Sequence, residues 1–97
     1  MSEIRFEWDP RKAKANLAKH GVSFAEASTA FYDESGLLLD DPDHSDHEDR
    51  FILLGLSASL HLLVAVHCFR DVDEVIRLIS ARKANPSESA RYEAELR

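Results

Sequence analysis

The residues best equipped for chemistry gather in the last third of the chain. Arg77-Leu78-Ile79-Ser80-Ala81-Arg82-Lys83-Ala84 carries three cations through and off the end of a strand-like run, and Glu88, Arg91 and Tyr92 follow. An arginine offers a planar fork to phosphate and a face that stacks on a base. Tyr92 adds a stacking face and a weak acid. Arginines on a strand beside an aromatic suit single-stranded RNA. The same cations equally suit an exposed edge strand guarded against aggregation, and composition alone favours neither reading.

His67 interrupts an apolar run, Leu62-Leu63-Val64-Ala65-Val66-His67-Cys68-Phe69. A histidine there is either a hydrogen-bonded structural residue or a proton-transfer group. His20 reads as a helix C-terminal cap, where the dipole favours an imidazolium. His61 is expected to be exposed near a hairpin turn. Cys68, the single cysteine, has no basic neighbour on its own face and reads as a buried thiol. Residues 40–49 hold six acids together with His44 and His47. Their spacing fits neither a closed zinc site nor a calcium loop, so a solvated turn and no metal are expected. Acids there could still dock a basic partner.

These residues need a scaffold, and its starts and stops are written in the chain. Asp9-Pro10 opens a helix that runs to His20 and stops at Gly21. Ala13 and Leu17 mark its expected buried stripe; Lys12, Asn16 and Lys19 share an outer one. Ser23 and Glu26 predict a capping box for a second helix with Phe24, Ala27 and Phe31 on its apolar face. Two short helices cannot stand alone. Leu37–Asp40, Arg50–Ser57, His61–Phe69 and Glu74–Arg82 are strand-length runs rich in Leu, Ile and Val, joined closely enough to pair as an antiparallel meander. Ile4–Trp8 alternates weakly, as a short first strand would. Asn85-Pro86-Ser87-Glu88 opens a last helix. The expectation is one α+β domain over residues 1–97: a helical hairpin on a mostly antiparallel sheet of about four strands, with a C-terminal helix.

Register ties this fold to the chemistry. Leu62, Val64, Val66 and Cys68 are even-numbered, as are Ile76 and Leu78 on the next run. A three-residue turn over Asp71–Asp73 pairs Val66 with Leu78 and collects the apolar set on one face. It also sets His67 directly across from Arg77 on the other face, with Cβ atoms about 4.5–5.5 Å apart.

The totals exclude several classes. Of 97 residues 44% are hydrophobic and 31% charged, an ordinary globular balance. Phe51–Leu56, the longest apolar run, is far too short to span a bilayer. One cysteine excludes an internal disulfide, and Met1-Ser2-Glu3-Ile4-Arg5 lacks a signal-peptide pattern, so a cytoplasmic location is expected. The net charge of −6 comes from residues 40–49; elsewhere 12 acids balance 12 Lys and Arg. Residues 1–20 and 77–97 each carry five bases against three acids, so two basic ends flank an acidic loop.

Phe6-Glu7-Trp8-Asp9-Pro10, Lys14, Asn16-Leu17 and Lys19-His20-Gly21-Val22-Ser23-Phe24 resemble the opening of BrnT-type toxins. Glu48-Asp49-Arg50-Phe51, Gly55, His67, Arg77, Ile79-Ser80-Ala81-Arg82-Lys83-Ala84, Glu88 and Arg91-Tyr92-Glu93 resemble that family's middle and end. One departure is Arg70-Asp71-Val72-Asp73, where a glycine is usual. The resemblance implies a RelE-like fold and an endoribonuclease of a type II toxin-antitoxin pair that blocks translation. It also implies a BrnA-like antitoxin, through which DNA is bound indirectly. Under it, metal-free RNA transesterification without a cofactor is expected. Arg77 and Arg82 would stabilise charge, His67 would transfer a proton, Glu88 would be a general base, and Tyr92 would orient a base or act as acid. Lys83, Arg91, Lys12 and Lys19 would bind RNA. The alternatives are a non-catalytic module that binds a partner protein through its basic ends, and a metal-dependent nuclease using His44 and His47.

Overall fold

In the computed structural model, residues 4–41, 50–70 and 75–96 are described. Strand β1 is Arg5–Glu7, helix α1 Pro10–His20, and helix α2 Phe24–Thr29, which tightens into a 3₁₀ turn over Ala30–Tyr32. Then come β2 (Leu37–Asp40), β3 (Phe51–Leu56), β4 (Leu62–Arg70), β5 (Val75–Lys83) and helix α3 (Pro86–Glu95). The expected turns at residues 42–49 and 71–73, with His44 and His47, lie outside the described residues.

The helix ends form as the capping residues dictate. Asp9 accepts the Arg11 N–H at 2.8 Å, and Pro10 fills the first turn, where no N–H is needed. At the other end Gly21 adopts φ +70° and its N–H reaches the Leu17 carbonyl. That left-handed position is costly for any residue with a Cβ. Asn85 and Glu88 close a full capping box on α3. On α2 only half of the expected box forms. Ser23 accepts the Glu26 N–H, but the Glu26 carboxylate turns away to accept from Ser57 Oγ at 2.8 Å and to meet His61 Nδ1 at 2.7 Å. Glu26 thus ties α2 to the β3–β4 turn.

Among the described residues the sheet has five strands in the order β1-β5-β4-β3-β2, where a sheet of about four was expected. The addition is β1, which pairs parallel to β5 with Phe6 beside Ile76 and Glu7 beside Arg77. The weak alternation over Ile4–Trp8 marks the strand itself, but a parallel partner some seventy residues on has no local signature. The remaining pairs are antiparallel.

Both faces of the sheet are covered. Leu63, Ile76, Leu78 and Ala81 pack with Val22, Phe24 and Ala27 of the helical pair, and Leu53 and Ala65 pack with Ala30. The 3₁₀ turn approaches β3 so closely that a Cβ at Gly55 would lie 2.8 Å from the Ala30 carbonyl oxygen. On the opposite face Leu54 and Val64 pack with Tyr92 of α3.

That second layer explains why the expected β4–β5 register fails. It rested on β4 having one apolar face, whereas Leu63 and Ala65 are buried on one side and Val64 on the other. The observed pairs are Val66–Ser80, His67–Leu78 and Cys68–Arg77, with Ile79 the extra residue of a β-bulge. His67 and Arg77 therefore lie on opposite faces. Helix α1 departs as well. Asn16, expected outside, is buried, and Leu17, expected inside, is 51% exposed. Past the end of β1 the edge of β5 needs backbone partners. Asn16 supplies them, accepting from the Ala81 N–H at 3.0 Å and donating to the Ala81 and Val22 carbonyls at 2.8 and 2.9 Å.

Candidate active site

Arg82 pairs with Val64 and Arg77 with Cys68, so both arginines share the face that α3 covers in part. The Arg82 guanidinium meets Glu88 in a two-point fork, Nη1–Oε1 at 2.8 Å and Nη2–Oε2 at 2.9 Å. Nη1 also donates to the Lys83 carbonyl at 3.3 Å. These bonds use three of the five N–H donors of a guanidinium and leave two for a phosphate. The Arg82 side chain is 43% exposed, so the guanidinium lies at a partly open surface.

Glu88 is held by the helix it caps. Its Oε1 accepts the Asn85 N–H and its own N–H goes to Asn85 Oδ1, both at 2.8 Å. One carboxylate therefore fixes the start of α3 and the aim of Arg82. The Arg82 bond keeps the Glu88 carboxyl below the usual carboxylate range, with burial opposing and the Asn85 N–H assisting. It is ionised at neutral pH. Further along the face, Arg77 Nη1 donates to Glu7 Oε2 at 2.7 Å, and Arg70 approaches the same oxygen at 3.7 Å. The parallel pairing of β1 with β5 puts Glu7 there.

A second group of polar side chains lies beside the β5 edge. Lys12, Lys19 and His20 of α1 line a groove with Ile79 and Ser80 at the bulge. Ser80 pairs with Val66 between the two arginines, so the groove adjoins the arginine face. His20, read from the chain as a simple cap, belongs to this group. The signal that would have found it is the bulge, which pattern does not show.

The other expected residues are placed elsewhere. His67 is 0% exposed, with its ring centroid 4.8 Å from Phe31, 5.3 Å from Phe69 and 6.2 Å from Phe51. Its Nδ1 donates to the Ala65 carbonyl at 3.0 Å, while Nε2 has no hydrogen-bond partner among the described residues. Burial pushes the imidazole below its ordinary pKa, against the Ala65 bond. Lys83 pairs with Leu63 on the helix side, where its charge helps lower Glu26. Arg91 is exposed on α3. Among the described residues, no three of His, Cys, Asp and Glu gather closely enough to hold a metal ion. No helix among them is long and apolar enough to cross a membrane.

Residues 8–88 match the family model described as the ribonuclease toxin BrnT of type II toxin-antitoxin systems. The chain belongs to the BrnT family. The crystal structure of the Brucella abortus ribonuclease toxin BrnT is similar, with a TM-score of 0.62 and 25% sequence identity over 86% of this chain and 99% of that one. No curated protein matches the chain.

For a BrnT-family chain, Tyr92 stands out by its environment. It is 7% exposed, and its hydroxyl donates to Asp33 Oδ2. Burial and then this bond push the phenol up to about 12, so it stays a donor throughout the neutral range. Asp33 also accepts the Leu56 and Ser35 N–H groups; burial raises its pKa, but the Tyr92 bond and then these two outweigh it and leave the carboxyl below its usual range. The pair clamps α3 to the β2–β3 end of the sheet. Tyr92→Phe should cost about 1–3 kcal/mol in urea unfolding, because it removes the partner of a partly buried carboxylate. Cleavage by the folded fraction should persist; its loss would give the phenol a chemical role.

Proposed function

We propose that this toxin cleaves RNA by metal-free transesterification on the arginine face of the sheet, and blocks translation by doing so. The observation that carries the reading is the Arg82–Glu88 fork: a cation with free donors, aimed by an ionised carboxylate, on a partly open face.

In the reaction the ribose 2′-oxygen attacks phosphorus while the bond to the 5′-oxygen breaks. A base takes the 2′-hydroxyl proton, and an acid gives one to the leaving 5′-oxygen. Products carry a 2′,3′-cyclic phosphate and a 5′-hydroxyl. Arg82 stabilises the charge that builds on the phosphoryl oxygens, in most such sites the largest contribution. Glu88 accepts the 2′-proton. Arg77 lies five positions back along β5, roughly 15 Å at ordinary strand rise, and so holds a different phosphate of the same strand. Ser80 leads the RNA over the β5 edge to Lys12 and Lys19, while Lys83 and Arg91 guide it at the margins. His20 takes the proton-donating role expected of His67, whose ring faces the helices.

The test is cleavage of a labelled RNA in excess EDTA. Cyclic-phosphate ends and undiminished rates are expected, and His20→Ala should slow the reaction by about 10²–10⁴-fold. Expression of the chain alone should stop amino-acid incorporation in bacteria, and the antitoxin should restore it. Intact RNA without EDTA would favour the partner-binding alternative, and a strict metal requirement would refute the mechanism.

A further inference from the structure

Helix α1 buries its asparagine and leaves its leucine in solvent. Asn16 is committed to the β5 edge, which turns Lys12 and Lys19 toward the groove beside Ser80. Leu17 then lies on the other flank of the helix, over a second groove between α1 and α2. Its walls are Trp8, Ala13, Leu17, Phe24 and Ala25, with Lys14 among them. The Trp8 and Phe24 rings meet edge-on at 5.9 Å and hold its floor in shape.

Three occupants can cover such a groove, and charge separates them. Pro10–His20 contains Arg11, Lys12, Lys14 and Lys19 and no acid. A second copy of the chain would bring the same cations against them and be repelled. RNA would be attracted by charge, but the groove is nearly all apolar, and the hydrogen-bonding cations line the opposite flank of α1. An apolar stripe bordered by carboxylates satisfies both the walls and the rim.

We propose that the α1–α2 groove is the anchoring surface for the antitoxin, through an amphipathic segment with an apolar stripe and acidic flanks. This rests on the toxin-antitoxin pairing of the family and is independent of the cleavage mechanism. The groove lies on the helix side of the sheet, away from Arg82, so anchoring and cleavage occupy separate surfaces.

The experiment titrates the purified antitoxin of the pair onto wild type, Leu17→Glu and Lys14→Glu by calorimetry, with RNA cleavage by each free toxin measured alongside. Leu17 is half exposed, so a polar side chain there leaves the fold intact. Each variant should weaken binding by at least about tenfold, the effect of losing an interface anchor. Wild-type binding should weaken as salt rises, and cleavage should stay within about twofold, because surface changes outside the reaction site leave the barrier untouched. Unchanged affinity in both variants overturns the proposal. So does lost cleavage with unchanged affinity, which would assign the groove to RNA, or a toxin dimer that Leu17→Glu dissolves. Failure of the ribonuclease reading would appear separately, as wild type that binds antitoxin and leaves RNA intact.

Discussion

Arg82→Ala is expected to lower the RNA cleavage rate by about two to three orders of magnitude while the protein stays folded, since a preorganised donor aimed at developing charge contributes about 2.7–4 kcal/mol. The fold should tolerate the change because Arg82 is 43% exposed and its partner Glu88 keeps its capping bonds to Asn85. Arg82→Lys should recover little, since an ammonium cannot form the two-point fork with Glu88. Glu88→Gln keeps an oxygen for the Asn85 N–H, so the helix keeps its cap, but it removes the basicity and one arm of the fork, since an amide nitrogen cannot accept from Nη2. A fall in kcat well beyond that of Arg82→Ala marks Glu88 as the base; a fall no larger than that leaves it a residue that positions Arg82. Arg77→Ala should act mainly on KM, because Arg77 meets another phosphate. Normal single-turnover cleavage by Arg82→Ala would remove the fork from the reaction.

Much of the architecture could be read along the chain because its determinants are local. Asp9-Pro10, Gly21, Ser23 and Asn85-Pro86-Ser87-Glu88 each act within a few residues, and the helices begin where those side chains bond. Four strand runs are bounded within one or two residues for the same reason. Arg77, Arg82 and Glu88 are legible as a charged group, although the fork itself needs the tertiary turn from β5 into α3. What escaped depends on distant partners. Asn16 is polar and looks exposed until the uncovered edge of β5 is present to receive it. Glu7 is an unremarkable carboxylate until β1 docks beside β5 and puts it on Arg77. Alternation cannot set the register of β4 because α3 makes both of its faces apolar; the extra residue at Ile79 brings Arg82 onto the face of Arg77, while Arg70 opposite Val75 sets His67 across from Leu78 on the helix face.

That displacement makes His67 a liability to stability, and acid should reveal it. The folded protein holds the imidazole neutral among Phe31, Phe51 and Phe69, with burial lowering its pKa below the ordinary 6.5. The unfolded chain binds a proton there at about pH 6.5. Below that pH the unfolded state carries the extra proton, so stability must fall as pH falls, until the folded pKa is reached. The slope from this residue approaches about 1.4 kcal/mol per pH unit. Glu26, Glu88 and Asp33 also have lowered pKa values, but they withdraw stability only as pH falls below their unfolded values near 4.5 and 3.8. A urea series between pH 7 and 5 therefore isolates the histidines. Subtracting the same series for His67→Phe leaves His67 alone, since the other histidines are common to both proteins. Phenylalanine fits an aromatic surround and carries no proton, so the variant should hold its midpoint where wild type declines. It should also cleave RNA within about threefold of wild type, because an apolar replacement outside the reaction site leaves transition-state stabilisation intact. A folded His67→Phe protein with cleavage reduced a hundredfold would return the imidazole to the reaction and require His67 to leave the helix side of the sheet during turnover.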